Sequence, residues 1–367
     1  MVMANKRGFV LCLVISMDVL GAAAGILRPP PMYVFGESTL DVGNNNFLPG
    51  PNVFRANAPY YGIDFPGVPT GRFSNGNNIA DFLAKRMGFW SSPPPYLMLE
   101  PNPELLVSTA LEIGVNYASG GSGILDSTHA VMQNSSKNIP LSKQVQYFKA
   151  TRAKMAAATG DAAVMSTLLA RSVFLISDGN NDLTAFATSP QQRQSDAATF
   201  LADLISNYSA TITELYGMGA RKFAIVNAGL IGCAPAGRVA GACAVGINQL
   251  AAGFNVALNS LLAEKKKQLP DMAYSLADSY GLMHDFFTDP QAWGFTDIAS
   301  ACCTSGWLLC LPTSKICPTR SQRDQHVFWD SFHFSQRACF LTAQAFYDGP
   351  AKYTTPINFM QLAQQST

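Results

Sequence analysis

Met32-Tyr33-Val34-Phe35-Gly36-Glu37-Ser38-Thr39-Leu40-Asp41 is the stretch on which the reading of the fold turns. A short apolar run, Met32 to Phe35, is closed by a glycine and followed by a polar turn, the pattern of a buried strand and its exit. The pattern recurs at Val173 to Ile176, Phe223 to Val226 and Met272 to Leu276. Between these runs lie longer stretches with helical period. Leu201, Leu204, Ile205, Tyr208, Ile212 and Leu215 form one stripe, and Ile247, Leu250, Phe254, Leu258 and Leu261 form another. Strands that alternate with such helices imply βαβ units, hence a parallel sheet covered on both faces. The expected architecture is α/β, a three-layer α/β/α sandwich with a central, mostly parallel sheet. In open parallel sheets the reacting groups collect beyond the carboxyl ends of the strands, so the residues that follow each strand carry the functional question.

The totals agree with a globular chain. Of 367 residues, 48% are hydrophobic and only 13% charged, and the formal net charge is +1, which excludes a disordered or coiled-coil chain. The one basic run, Lys265 to Lys267, sits at the end of the second helical stripe, where cations suit a helix C-terminus, and makes no case for nucleic acid. Lys6 and Arg7, the apolar stretch Phe9 to Ile15 and the small residues Ala22 to Ala24 read as an export signal over residues 1–24, cleaved near Ala24. The apolar stretch is short for a membrane span, and Asp18 and Gly21 interrupt it. Without internal repeats or a long linker, residues 25–367 read as one domain, extracellular, with no membrane span in the mature chain.

Sequons at Asn134 and Asn207 fit glycosylation in that compartment. Beyond the signal, Cys233, Cys243, Cys302, Cys303, Cys310, Cys317 and Cys339 remain. An oxidising compartment and the close spacings favour local disulfides from Cys233 to Cys243 and within the cluster Cys302 to Cys317, leaving Cys339 as the odd thiol. Zinc is the competing explanation, but the cluster has no CxxC pair and no histidine at a usual ligand spacing.

The chemistry-bearing residues follow the strands. Ser38 lies in the turn after the first, where a nucleophile belongs, yet a serine hydroxyl needs a base to take its proton. Asn180 and Asn181 follow the second strand in Ser177-Asp178-Gly179-Asn180-Asn181-Asp182, and an asparagine amide can donate to an oxyanion without losing a proton. The glycine-rich run Asn116 to Gly123 lets backbone N–H groups approach a ligand. Near the end of the chain, Asp330 and His333 stand three apart in Phe328-Trp329-Asp330-Ser331-Phe332-His333. That spacing lets the aspartate orient the imidazole, completing a nucleophile, base and acid. Taken singly, each element is more often an ordinary turn, cap or structural histidine; their joint order is the signal.

In that order the chain resembles the plant GDSL esterases and lipases of the SGNH hydrolases, from about Pro31 to about Tyr347. FGESTLDVGNN resembles the family's first block and implies Ser38 as nucleophile. GVNYASGGSGIL resembles the second and implies a glycine N–H in the oxyanion hole, Gly121 first and Gly120 as the alternative. GNND implies Asn181 as the side-chain oxyanion donor, and WDSFH implies Asp330 as orienting acid and His333 as base. NAGLIGCAPAGR and NQLAAGFNVALNSLL also resemble segments of plant members. The chain departs from the pattern at two places. Glu37 stands where the family has Asp, with a longer side chain that is expected to displace the turn presenting Ser38. Phe334, Ser335 and Gln336 stand where relatives continue Pro-Thr-Glu, which is expected to reset the base loop.

The resemblance implies a secreted esterase that hydrolyses carboxylic esters through an acyl-enzyme on Ser38, needing no metal or organic cofactor. Its partner is a small or polymer-bound ester rather than nucleic acid. The alternatives are acyl transfer from the same intermediate to an alcohol, and a catalytically impaired homologue that binds an ester or glycan unchanged.

Overall fold

The computed structural model describes residues 29–128, 137–189, 196–306 and 309–365. The export signal read over residues 1–24 and the sequon at Asn134 lie outside the described residues. A five-stranded sheet forms the middle layer: β1 (Met32–Gly36), β2 (Val173–Ser177), β3 (Lys222–Val226), β4 (Ala273–Ala277) and β5 (Thr354–Thr355), in that spatial order. The first four run parallel, and only β5 at the edge is antiparallel. All four apolar runs are strands, within one residue at either end. Met32 pairs with Val173, Val173 with Lys222 and Lys222 with Ala273, so the strands start level and their carboxyl ends form one edge.

The sheet has one component that periodicity does not reveal. Residues 113–119 run beside the free edge of β1, with hydrogen bonds from Met32 N–H to Ile113 O (2.9 Å), Val34 N–H to Val115 O (3.0 Å), Tyr117 N–H to Val34 O (2.7 Å) and Ser119 N–H to Gly36 O (2.9 Å). This irregular ribbon covers an edge that would otherwise leave backbone groups unpaired, and it delivers the glycine-rich run to the same edge as Ser38.

Helices cover both faces: α1 (Ile79–Met87), α2 (Pro103–Glu112), α3 (Leu141–Thr159), α4 (Ala162–Arg171), α5 (Asn180–Thr188), α6 (Ala197–Gly217), α7 (Val245–Gln268), α8 (Ser279–Thr288), α9 (Gln336–Tyr347) and α10 (Phe359–Gln364). The strands' alternation divides the core in two. Tyr33, Phe35, Phe174, Ile176, Phe223 and Ile225 pack with α3, α4, α6 and α7 on one face. Met32, Val34, Val173, Leu175, Ala224 and Val226 pack with α1, α8, α9 and α10 on the other. The two predicted stripes lie on α6 and α7, although Leu201, Ile205, Ile247 and Leu250 are only partly buried. Lys265, Lys266 and Lys267 occupy the last turn of α7, where the helix dipole favours them. Among the described residues no helix is long and apolar enough to cross a membrane.

Gly36 joins the sheet to the site. Its φ is +138°, and a Cβ there would stand 2.0 Å from the Ser177 carbonyl oxygen on β2. Both the backbone angle and the close approach require glycine. Gly36→Ala is therefore expected to lower stability by more than about 3 kcal/mol, read as a large drop in the thermal midpoint or loss of soluble protein; a variant as stable as wild type contradicts this close packing of β1 on β2.

Candidate active site

Beyond Gly36 the chain turns sharply, with the N–H groups of Leu40 and Asp41 both 3.1 Å from Glu37 O. Ser38 projects from this turn at the carboxyl edge of the sheet. His333 meets it from the other end of the chain, its Nε2 2.8 Å from Ser38 Oγ. On the far side of the ring Nδ1 lies 2.7 and 2.8 Å from the two carboxylate oxygens of Asp330. An ionised carboxylate only accepts, so Nδ1 carries the proton and Nε2 is left as the acceptor facing the serine hydroxyl. The sequence spacing brings this pair together as expected. Asp330 Oδ1 also accepts the N–H groups of Phe332 and His333, both at 2.9 Å, which closes the short turn between acid and base.

The base loop is tied at several points. Trp329 N–H donates to His333 O (2.7 Å) and Ser335 N–H to Val327 O (2.8 Å). Phe334 packs on Phe328 and Phe286, with ring centroids 5.8 and 6.3 Å away. Ser335 caps α9, and Gln336 reaches across to α1's approach: its N–H donates to Asn75 Oδ1 (2.7 Å) and its Oε1 accepts Asn77 N–H (2.8 Å). Apolar packing and side-chain hydrogen bonds thus hold the base loop.

Tyr61 is a site residue that the sequence reading missed. Its buried hydroxyl donates to Asp330 Oδ2 (2.7 Å) and accepts Cys310 N–H (3.2 Å). Tyr61, Phe73 and Trp329 form a small core with Cys302, Cys303 and Cys310 beneath the acid and base, and Phe73 lies 4.7 Å from the His333 ring. Among the described residues three disulfides join Cys233 to Cys243, Cys302 to Cys317 and Cys303 to Cys310, and Cys339 is the free, buried thiol. The cysteine cluster is therefore a buttress for the acid. A ring nitrogen of His326 lies within 4.8 Å of the Cys302 and Cys317 sulfurs, but sulfurs bonded to each other offer no thiolate to a metal.

The opposite wall carries the candidate oxyanion donors. Gly120 N–H is already committed to Asp41 Oδ2 (2.9 Å), whose other oxygen accepts Gly43 and Asn44 N–H at 2.7 and 2.8 Å. Gly121, at φ +83°, lines the cavity, and among the described residues nothing accepts from its N–H or from that of Ser38. Asn181 also lines the cavity, at the first turn of α5, but both its amide hydrogens are engaged: one by Glu37 Oε2 (3.0 Å) and one by Ser122 O (2.8 Å).

Glu37 does not push the turn aside. Its carboxyl folds back under Ser38 and accepts from Asn180 as well as Asn181. Burial drives its pKa up to about 8; hydrogen bonds from Asn180 oppose the shift and the charge of Asp182 adds to it. Asp178 and Asp182 are buried beside it. Burial raises both, Asp182 to about 6, while Asp178 is also raised by the charge of Glu37. Asp182 fastens the second block to the third, accepting Ile124 N–H (2.9 Å), Leu125 N–H (3.0 Å) and Thr128 Oγ1 (2.6 Å). Gln144 on α3 fastens the first to the second, bonding both backbone groups of Gly36 and donating to Ser122 Oγ (3.0 Å).

Ser38 and His333 open on a cavity of about 170 Å³, walled chiefly by Phe54, Phe73, Ile231, Ala234, Ile247, Leu309 and Phe332. A larger hollow of about 580 Å³ between Trp293, Arg337 and Tyr353 holds no nucleophile with a base. A concave, mostly apolar cavity with a few convergent polar groups is the usual form of a small-molecule site.

A parallel α/β sandwich whose sheet edge sets a serine against a histidine and an aspartate has the form of a serine-type hydrolase. Comparison with known proteins agrees. The family described as GDSL-like lipase/acylhydrolase matches residues 32–346. The GDSL esterase/lipase At5g55050 of Arabidopsis thaliana is 36% identical over 362 residues, covering 95% of this chain and 93% of the relative. The GDSL esterase/lipase At3g50400 of the same plant is 36% identical over 349 residues, 90% of each chain. The chain belongs to the GDSL esterase/lipase family and is a hydrolase of the SGNH type.

Tyr61→Phe removes a hydroxyl that serves both Asp330 and the disulfide-braced loop. It is expected to cost about 1.5–3 kcal/mol of stability and to lower kcat about tenfold with KM nearly unchanged. Thermal unfolding and steady-state kinetics on a chromogenic ester check this; unchanged values in both mean that Tyr61 only fills space.

Proposed function

We propose that this protein is an exported serine esterase or lipase that hydrolyses carboxylic esters through an acyl-enzyme on Ser38. One observation carries the reading: His333 Nε2 is 2.8 Å from Ser38 Oγ while Nδ1 is held by Asp330. His333 takes the hydroxyl proton as Ser38 attacks the carbonyl, and Asp330 balances the imidazolium that forms. The N–H groups of Ser38 and Gly121, with the Asn181 amide, receive the tetrahedral oxyanion. His333 then protonates the leaving alcohol, the acyl group remains on Ser38, and a water activated by the same imidazole releases the acid. The apolar cavity walls support an ester with a modest hydrocarbon part. The signal-like residues 1–24, the disulfides and the exposed Asn207 on α6 support export and glycosylation.

The test is hydrolysis of p-nitrophenyl butyrate by the purified protein. Ser38→Ala is expected to lose at least about a thousandfold in kcat, and Asn181→Ala about a hundredfold to a thousandfold. A folded Ser38→Ala variant that retains wild-type turnover contradicts the mechanism.

A further inference from the structure

Glu37 is 1% exposed and immediately precedes Ser38, and its carboxyl lies in the wall of the same cavity. It takes Asn180 Nδ2 on Oε1 at 2.5 Å and Asn181 Nδ2 on Oε2 at 3.0 Å. The second hydrogen of the Asn181 amide goes to Ser122 O at 2.8 Å. An amide nitrogen has two hydrogens, so at rest none remains for an oxyanion, and one partner must be released during the reaction. Ser122 is not that partner. It is a backbone carbonyl, and its own side chain is fastened to Gln144 (3.0 Å) and Asp178 (2.7 Å). The Glu37 side chain is the partner whose hold can change, because it titrates.

An ionised Glu37 binds the Asn181 N–H through a charge-assisted bond, roughly twice the strength of a neutral one, and sets a negative charge beside the nascent oxyanion. Protonation removes the charge and leaves only a weaker, neutral acceptor for the Asn181 N–H. We propose that Glu37 is a positioning residue: its neutral form holds the two asparagines in place yet yields the Asn181 N–H to the oxyanion, and its ionisation locks Asn181 and closes the oxyanion hole. This rests on the Ser38 esterase reading above.

The groups facing Glu37 favour the neutral form. The charge of Asp182 on α5 acts in that direction, Asp178 after β2 is a further acid buried beside it, and His333 stands across Ser38. Burial, the largest influence, carries Glu37 to about 8. The neutral form therefore dominates below that value and is lost above it, so turnover falls on the alkaline side. General-base catalysis by an imidazole gives an acid limb rather than an alkaline one, so a fall at high pH reports a different group.

The experiment is kcat and KM from about pH 5 to about pH 10 with a butyrate ester, for wild type, Glu37→Gln and Glu37→Asp, each corrected with Ser38→Ala. Wild-type kcat is expected to fall about tenfold per pH unit above its alkaline midpoint, as a single ionisation requires, with KM little changed. Glu37→Gln, scaled to its own value near neutrality, keeps a flat profile there. Glu37→Asp keeps the limb with its midpoint moved, and decides the matter should the glutamine variant not fold. An alkaline limb identical in all three, or none in wild type, overturns the proposal while leaving the esterase intact. Absence of Ser38-dependent turnover at every pH sinks both readings.

Discussion

The 2.8 Å contact between His333 Nε2 and Ser38 Oγ joins residues 295 positions apart, and most of the local structure around it makes sense as support for that contact. From one side, Gly36 lets the chain leave β1 hard against β2, and Gln144 grips Gly36 through both backbone groups. From the other, Asp330, Tyr61 and the loop before α9 fix the imidazole in position and tautomer. Hydrogen bonds of this kind have little net value each, so precision comes from many groups acting on one turn. Two elements that meet only through tertiary packing need such redundancy if a reacting pair is to stay within bonding distance.

The arrangement also concentrates acid. Glu37, Asp41, Asp178 and Asp182 are all nearly inaccessible to solvent. Buried carboxyls are costly unless hydrogen bonded or neutral. Asp41 and Asp182 take backbone N–H groups from the loops they organise, so the three polar blocks that follow the strands are one bonded unit. Glu37 takes its donors, two side-chain amides and one longer backbone N–H, all from Asn180 and Asn181 beside the nucleophile. An enzyme that must stabilise a negative oxyanion gains nothing from an ionised neighbour, which is why its protonation state matters more than that of the others.

Much of this was legible in the sequence. The strands β1 to β4 announced themselves because a doubly covered parallel strand is a short, uninterrupted apolar run, and α6 and α7 are long enough for their period to stand out. Asp330 and His333 were readable because the pair is local, three residues apart. The residues that the reading missed act at a distance: Tyr61 reaches Asp330 across 269 positions, and Gln144 reaches Gly36 across 108. No spacing rule reports such pairs. The ribbon 113–119 escaped because its backbone bonds to β1 without strand periodicity. The motif singled out Asn181, but a motif does not show that both its amide hydrogens are engaged. Glu37 was expected to disturb the turn; it instead folds beneath it, because the two asparagines offer donors within its longer reach.

The central claim is that His333 activates Ser38 as the nucleophile. The most direct measurement is intact-mass analysis with peptide mapping after exposure to a serine-directed phosphonate, comparing wild type with His333→Ala. The account predicts a single adduct on the peptide that carries Ser38, with labelling slowed at least about a hundredfold in the variant, the usual scale of general-base assistance. An adduct on another residue, or equal labelling rates in the two proteins, contradicts it.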